Sequence, residues 1–269
     1  MQQYRVAIAG LGTIGLKVAH AIDQGDLPGL SLLAVSARDR IKAAENISKF
    51  KNIPEIVSLS ELANFADVIV ECSPSAVFAQ SAEAAIERGL IFISVSAGAL
   101  LERPDLIARA QITGAQIIIP TGALIGLDAV RAAAEGEISR VVHCVRKPPA
   151  SLRGAPYIDQ NNINLDNLKS ALCVFKGTAR EAAKGFPANV NVAAALALAG
   201  IGADETYVEI WADPTVERNT HEISVEADSA RFSMKIENIP SENPATGKIT
   251  ALSVIATLRR LSSPLVVGS

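Results

Sequence analysis

Cysteine is scarce in this 269-residue chain. Cys72, Cys144 and Cys173 are odd in number and have neither paired nor metal-ligand spacing, which argues against a disulfide scaffold or a cysteine-built metal site and fits a reducing cytoplasm. Long apolar runs are missing too: none approaches the roughly 20 residues that a helix needs to cross a bilayer. The apolar start at residues 6–11 is broken by glycines, is followed by Lys17 and lacks a small-residue cleavage site, so it does not read as a signal peptide. Nor is there a surplus of positive charge. Lys and Arg number 25 against 28 Asp and Glu, a net charge of −3 with the basic residues dispersed. That balance leaves no electrostatic footprint for nucleic acid or an anionic membrane. Repeats and low-complexity linkers are absent. The expectation is a cytoplasmic protein that binds no metal, nucleic acid or membrane.

What is present begins at once. With 49% hydrophobic and 20% charged residues the chain has the composition of a folded protein, long enough for one large domain or two smaller ones. Residues 4–15 are a short apolar strand pattern running into Gly10-Leu11-Gly12-Thr13-Ile14-Gly15, after which a helix pattern continues to Ile22. This is the dinucleotide-binding arrangement. Gly10 permits the tight turn, Gly12 lets backbone approach a pyrophosphate, and Gly15 lets helix pack on strand. Thr13 and Ile14 open the helix, where free N–H groups and the helix dipole favour a phosphate. Glycines also mark ordinary turns, but the strand before and the helix after point to NAD, NADP or a similar nucleotide.

An Asp or Glu about 20 residues beyond the glycines normally binds the ribose 2′-hydroxyl of NAD. Here Ser36 stands near that place, followed by Arg38, Asp39 and Arg40. The arginines can accept a 2′-phosphate instead, which predicts that NADP serves at least as well as NAD. The alternatives are that Asp39 swings back or that both arginines face water. Cys72, just past an apolar strand pattern, is also placed to approach the cofactor.

Strand and helix patterns alternate through the first half: strands at 30–37, 66–72, 90–95 and 115–119, helices at 78–88 and 103–113. That rhythm predicts a doubly wound parallel α/β sheet of Rossmann type. From about Ile138 the strands lengthen and alternate polar with apolar residues, at 140–145, 207–212, 221–227 and 231–236, which predicts a second α+β domain with a largely antiparallel sheet. A last helix follows Asn243-Pro244. The expected division is a dinucleotide domain at 1–125, an α+β domain at 126–244, and a terminal helix at 245–269 that packs back on the first domain.

Several segments together carry a more specific resemblance. They are the glycine turn at 10–15; Ser96-Ala97-Gly98-Ala99-Leu100; Thr121-Gly122-Ala123-Leu124-Ile125-Gly126-Leu127-Asp128; and Arg146-Lys147-Pro148-Pro149. Further on come Phe186-Pro187-Ala188-Asn189-Val190-Asn191-Val192-Ala193, Asn219-Thr220-His221-Glu222-Ile223 and Glu242-Asn243-Pro244. The chain resembles the L-aspartate dehydrogenase family over nearly its whole length. The resemblance implies NAD(P)-dependent oxidative deamination of L-aspartate through iminoaspartate to oxaloacetate and ammonia. It also implies a homodimer formed by the second domain, and an imine that can enter pyridine-nucleotide biosynthesis. By the same likeness Ala123 and Asn189 contact the cofactor and His221 is the active-site residue.

Each of these residues also has a plainer reading. Asn189 can be a local helix cap, and Ala123 a packed turn residue. His20 reads as a solvated helix residue and His143, inside Val141-Val142-His143-Cys144-Val145, as a satisfied sheet residue. Cys144 and Cys173, among apolar neighbours, read as inert thiols, against the alternative of a thiolate nucleophile. Deamination needs a proton carrier near neutral pH, and imidazole suits it, so His221 is the candidate general base. The two substrate carboxylates need donors. Lys147 with Arg146, Asn219 and Thr220 are candidates, although Lys147 can equally be a solvated strand end. A related dehydrogenase of another small diacid or amino acid, or a nucleotide-sensing protein without turnover, stays open at this point.

Overall fold

The apolar run before the glycine turn forms β1 (Tyr4–Ala9) in a computed structural model of the protein, which describes residues 3–187, 190–242 and 247–268. Its contacts fall into two compact units, Met1–Gly122 with Thr250–Val267, and Ala123–Ile249 with Gly268–Ser269.

In the first unit β1 leads through the turn into α1 (Thr13–Gln24). There follow β2 (Leu30–Ser36), α2 (Arg40–Ile47), β3 (Glu55–Ile56), β4 (Val68–Glu71), α3 (Phe78–Glu87), β5 (Ile91–Ser94), α4 (Ala97–Leu101), α5 (Pro104–Thr113) and β6 (Gln116–Ile118). All pairings are parallel, and the strand order is β3-β2-β1-β4-β5-β6. The chain therefore reverses its winding between β1 and β4, where doubly wound sheets bind ligands beyond the strands' carboxyl ends. The strands read as apolar runs because both faces are covered. Val6, Ile8 and Val70 pack on one side with α1, while Ala7, Ala9 and Ile69 pack on the other with Phe78 and Ala82 of α3.

The second unit runs α6 (Leu127–Ala133), β7 (Ile138–Lys147), α7 (Pro156–Gln160), β8 (Leu172–Thr178), α8 (Ala179–Gly185), α9 (Asn191–Ala199), β9 (Thr206–Ala212), β10 (Thr220–Ala227) and β11 (Arg231–Glu237). Its strand order is β11-β10-β7-β9-β8. β10 pairs antiparallel with β11 and β7, and β8 with β9, while β7 and β9 are parallel. Period-two alternation sorts the side chains. Val141, His143, Val145 and Lys147 of β7 share a face with Val208 and Ile210 of β9 and His221, Ile223 and Val225 of β10. On that face His143, Val145, Lys147, Val208 and Ile210 line one cavity with Ala182 of α8, Phe186 just after α8, and Ala193 of α9. The other face carries Cys144, Arg146, Glu209, Trp211 and Glu222. α8 starts cleanly because the Thr178 hydroxyl accepts from Glu181 N–H while the Glu181 carboxylate accepts from Thr178 N–H.

The last helix, α10 (Lys248–Ser262), is amphipathic and belongs from Thr250 onward to the first unit. There Val254 and Leu258, both wholly buried, join the core of Val6, Ile8 and Val18. Burying each of the two is worth about 1.5–3 kcal/mol. The Asn243-Pro244 signal ahead of this helix lies outside the described residues. Among the described residues no helix is long and apolar enough to cross a membrane.

Candidate active site

The glycine turn has the shape its sequence requires. Gly10 adopts φ +96°, and a Cβ on it would stand 2.8 Å from the Cys72 carbonyl oxygen. Gly12 caps α1 with φ −79° and no side-chain hydrogen bond, and no acidic residue occupies the first turn. A Cβ on Gly12 would meet no described atom within 4 Å. The first N–H groups of α1, at Thr13 and Ile14, are thus presented beside open space without a built-in anion, which fits a dinucleotide pyrophosphate.

Beyond β2 the two arginines part company. Arg40 donates to the Ile56 carbonyl at 2.5 Å, and the Asp39 carboxylate accepts from Lys42 N–H at 3.0 Å as the cap of α2. Asp39 is therefore engaged in its own helix rather than turned back toward the cofactor. Arg38 is exposed and has no hydrogen bond or ion pair among the described residues.

The other side of the switch point is fixed by a buried carboxylate that sequence reasoning missed. Glu71, at the end of β4, is fully buried and accepts from Ser73 N–H (2.9 Å) and the hydroxyls of Ser73 (2.8 Å), Ser94 (2.7 Å) and Ser96 (3.2 Å). Burial pushes its pKa up and the serine donors oppose that. Four converging donors hold the loops after β4 and β5 to one another. Cys72 between them is half-buried, and burial together with the Glu71 charge drives its thiol well above the ordinary range, so only its backbone and bulk are useful to a cofactor.

In the second unit the structure brings together three basic side chains. His143 and His221 are 1% and 5% exposed, their rings stack at 5.3 Å between centroids and 18° between planes, and His143 Nε2 lies 3.1 Å from His221 Nδ1. Ile223 stands opposite His143 and Val145 opposite His221, so the two rings meet diagonally across β7 and β10. Lys147 is buried on the same face, at 5% exposure. Burial lowers its pKa to about 8. Burial, then the Lys147 charge, lowers His143 to about 3. His221 is held well below the usual imidazole value by burial, His143 and Lys147. At pH 7 both imidazoles are neutral. His221 Nε2 makes no hydrogen bond among the described residues and is the nitrogen that can exchange a proton.

Two sequence expectations, for His143 and Cys144, and the alternative reading of Lys147 are corrected here. His143 is not a satisfied sheet residue, because among the described residues its Nδ1 is buried without a partner and its Nε2 engages His221. Lys147 is not a solvated strand end, because alternation turns it to the covered face. Cys144 lies not among apolar neighbours but on the polar face beside Arg146 and Glu222, half-buried, with its thiol raised by burial.

Of the other candidates, Asn219 is half-buried and its carbonyl accepts from Asn238 N–H at 2.9 Å. Register pairs Thr220 with Arg146 on the opposite face from His221, where both line a cleft of about 470 Å³ with Glu222, Lys235 and Arg218. The structure does not bring them to the imidazoles. Arg146 instead bonds Asp213 at 3.1 Å and stacks over Trp211 at 4.9 Å. The Ala123 carbonyl accepts from Asn238 Nδ2 at 2.9 Å. Asn189 lies outside the described residues. Among the described residues no group of three His, Cys, Asp or Glu side chains is placed to hold a metal.

Comparison with known proteins finds matches along both parts of the chain. Residues 128–261 match the family described as aspartate dehydrogenase, C-terminal, and residues 10–120 the homoserine dehydrogenase NAD binding domain. The chain is 56% identical to an L-aspartate dehydrogenase of Bradyrhizobium diazoefficiens, over 99% of this chain and 95% of that one. It is 50% identical to L-aspartate dehydrogenase 3 of Bordetella bronchiseptica, over 100% and 98% respectively. Among solved structures it is similar to aspartate dehydrogenase from Thermotoga maritima, with a TM-score of 0.75 at 27% identity, covering 99% of this chain and 100% of that one.

Proposed function

We propose, from the premise that the chain belongs to the L-aspartate dehydrogenase family, that His221 is the general base of its NAD(P)-dependent oxidation of L-aspartate to iminoaspartate, which hydrolyses to oxaloacetate and ammonia. The observation that carries the assignment is a buried, neutral imidazole with one nitrogen engaged and the other open, on the same sheet face as a buried lysine.

The first unit holds the dinucleotide through Gly10, Gly12, Gly15 and the N–H groups of Thr13 and Ile14. Cys72, Ala123 and Asn189 belong to the same proposed contact set. When bound, NAD(P) supplies the acceptor for the hydride that leaves the substrate α-carbon.

His221 Nε2 first takes a proton from the substrate ammonium, since only a neutral amine has the lone pair that expels the hydride and forms the C=N bond. An imidazole of lowered pKa is by itself a weak base. The substrate brings two carboxylates, whose charge offsets that of Lys147 and raises the basicity of His221 as it binds. Lys147 pairs with one of those carboxylates, in a buried setting where an ion pair is little screened. Asn219, next to the start of β10, is a second candidate donor. Once His221 has released its proton, it accepts another from the water that adds to the imine carbon, and the adduct collapses to oxaloacetate and ammonia.

A homodimer working in the cytoplasm is part of the same proposal. It rests on the family likeness, and light scattering tests the dimer. Incubation with NAD or NADP and a panel of L-amino and hydroxy acids, followed at the absorbance of the reduced cofactor, tests the substrate. L-aspartate is expected to exceed L-glutamate, L-alanine and L-malate, because a site that pairs two carboxylates at fixed spacing leaves donors unsatisfied when one is missing. Comparable kcat/KM for alanine, or preference for malate, contradicts the assignment.

A further inference from the structure

The mechanism above uses one imidazole, and the structure buries two. His143 is 1% exposed, stacks on His221 and makes a single hydrogen bond among the described residues, Nε2 to His221 Nδ1 at 3.1 Å. Its other nitrogen is buried without a partner among the described residues. A histidine kept only for packing is poorly suited to this place, since the surrounding cavity is lined by Ala182, Phe186, Ala193 and Val208 and an apolar side chain would leave no orphaned polar atom. The one thing His143 does that Leu or Phe cannot is bond His221.

The consequence lies in the tautomer. Two neutral imidazoles share one proton between Nε2 and Nδ1, and which ring holds it decides the state of His221 Nε2. If His143 Nε2–H donates, His221 carries its own proton on Nε2 and has nothing with which to accept another. If His221 Nδ1–H donates, the lone pair is on Nε2. We propose that His143 is a positioning residue that accepts the Nδ1–H of His221, fixing the ring's orientation and leaving Nε2 as the basic nitrogen. The inference rests on the reading of His221 as general base.

The same bond serves after proton transfer. When Nε2 takes the substrate's proton, the Nδ1–H of the imidazolium donates into His143 Nε2 and the bond becomes charge-assisted. His143 stays neutral through this, because it is wholly buried and Lys147 disfavours a second charge. It therefore supplies an acceptor without repelling the imidazolium. Lys147 of β7 is the charged group that acts on both rings. The cavity-lining side chains Ala182 of α8, Phe186 after it, Ala193 of α9, and Val208 and Ile210 of β9 are apolar.

The chain has three histidines, so its imidazole nitrogens are resolvable in a two-bond proton–nitrogen correlation spectrum of histidine-labelled protein. The expected wild-type spectrum shows His221 protonated at Nδ1 and unprotonated at Nε2. His143→Leu, which fills the cavity but removes the acceptor, is expected to stay folded, lose that pattern, and lower kcat for aspartate roughly 10- to 100-fold with dinucleotide affinity unchanged. His143→Gln, whose amide oxygen can accept from Nδ1–H, is expected to recover most of the activity. A wild-type His221 that is protonated at Nε2 overturns the proposal even if His143→Leu fails to fold. So does a folded His143→Leu within threefold of wild type. If His221→Ala is inactive while His143→Leu is not, only the positioning role falls. If His221→Ala is active, the base assignment falls with it.

Discussion

Gly15 lies so close to Gly10 that a Cβ on it would overlap the Gly10 carbonyl oxygen, whereas a Cβ on Gly12 would enter open space. Two glycines of one motif are thus constrained by different things. Gly15 is required by the fold, and Gly12, at an ordinary φ of −79°, meets no described atom that would exclude a side chain, so its expected role is the approach of the dinucleotide. Gly15→Ala is expected to destabilise the first unit by about 1–3 kcal/mol, as overpacking does. Gly12→Ala is expected to melt like wild type and to bind NAD and NADP roughly tenfold more weakly, equivalent to about 1.4 kcal/mol. Thermal denaturation with and without dinucleotide separates the two. Equal loss of stability in both variants contradicts the distinction.

The arginine pair is the ground for an expected cofactor preference. Arg40 is bound to the Ile56 carbonyl and Asp39 to the start of α2, whereas exposed Arg38 has no hydrogen bond or ion pair among the described residues. NADP is expected to be used at least as well as NAD, and Arg38→Ala to raise the KM for NADP about tenfold, the loss of one charge-assisted contact, while sparing NAD. Steady-state kinetics with both cofactors checks this. An unchanged NADP KM in Arg38→Ala, or a strong wild-type preference for NAD, counts against it.

Lys147 sets a limit on the alkaline side. Burial lowers its pKa to about 8, so the free enzyme loses this charge as pH rises through 8 and keeps it below. The KM for L-aspartate is expected to be flat below that value and to climb up to tenfold per pH unit above it. His221, held below the ordinary imidazole range, remains neutral across the same interval, so kcat/KM should show no acid limb near pH 6.5. Lys147→Met is expected to raise the KM at pH 7 and abolish its rise above pH 8. A KM profile that is the same in both proteins removes Lys147 from the substrate site.

The parallel sheet was largely legible because strands covered on both faces must be apolar runs, as Val68-Ile69-Val70 and Ile91-Phe92-Ile93 are, and because glycine and proline mark their ends. β3, with two residues, is too short to leave a pattern. β8 was missed because Lys176-Gly177 interrupts its alternation at an edge of the sheet, where one side is unpaired. The parallel pairing of β7 with β9 depends on long-range register, which no local pattern records. His221 was found through its segment. The signal for its neighbours was present in the alternation of β7, which puts His143, Val145 and Lys147 on one face. Their meeting with His221 required the β7–β10 register. Glu71 was hidden for a related reason, since its partners Ser94 and Ser96 come from a different strand end.

The central claim is that His221 moves the proton and that no cysteine does. The direct measurement is aspartate turnover by His221→Ala, alongside dinucleotide titration and thermal denaturation of the same protein. Turnover is expected to fall roughly 10²- to 10⁴-fold, the contribution of a positioned acid–base group, with folding and dinucleotide affinity nearly intact. Cys72→Ser, Cys144→Ser and Cys173→Ser should keep most of their kcat, consistent with thiols raised above the ordinary range by burial. A folded His221→Ala that turns over aspartate at close to the wild-type rate would contradict the account.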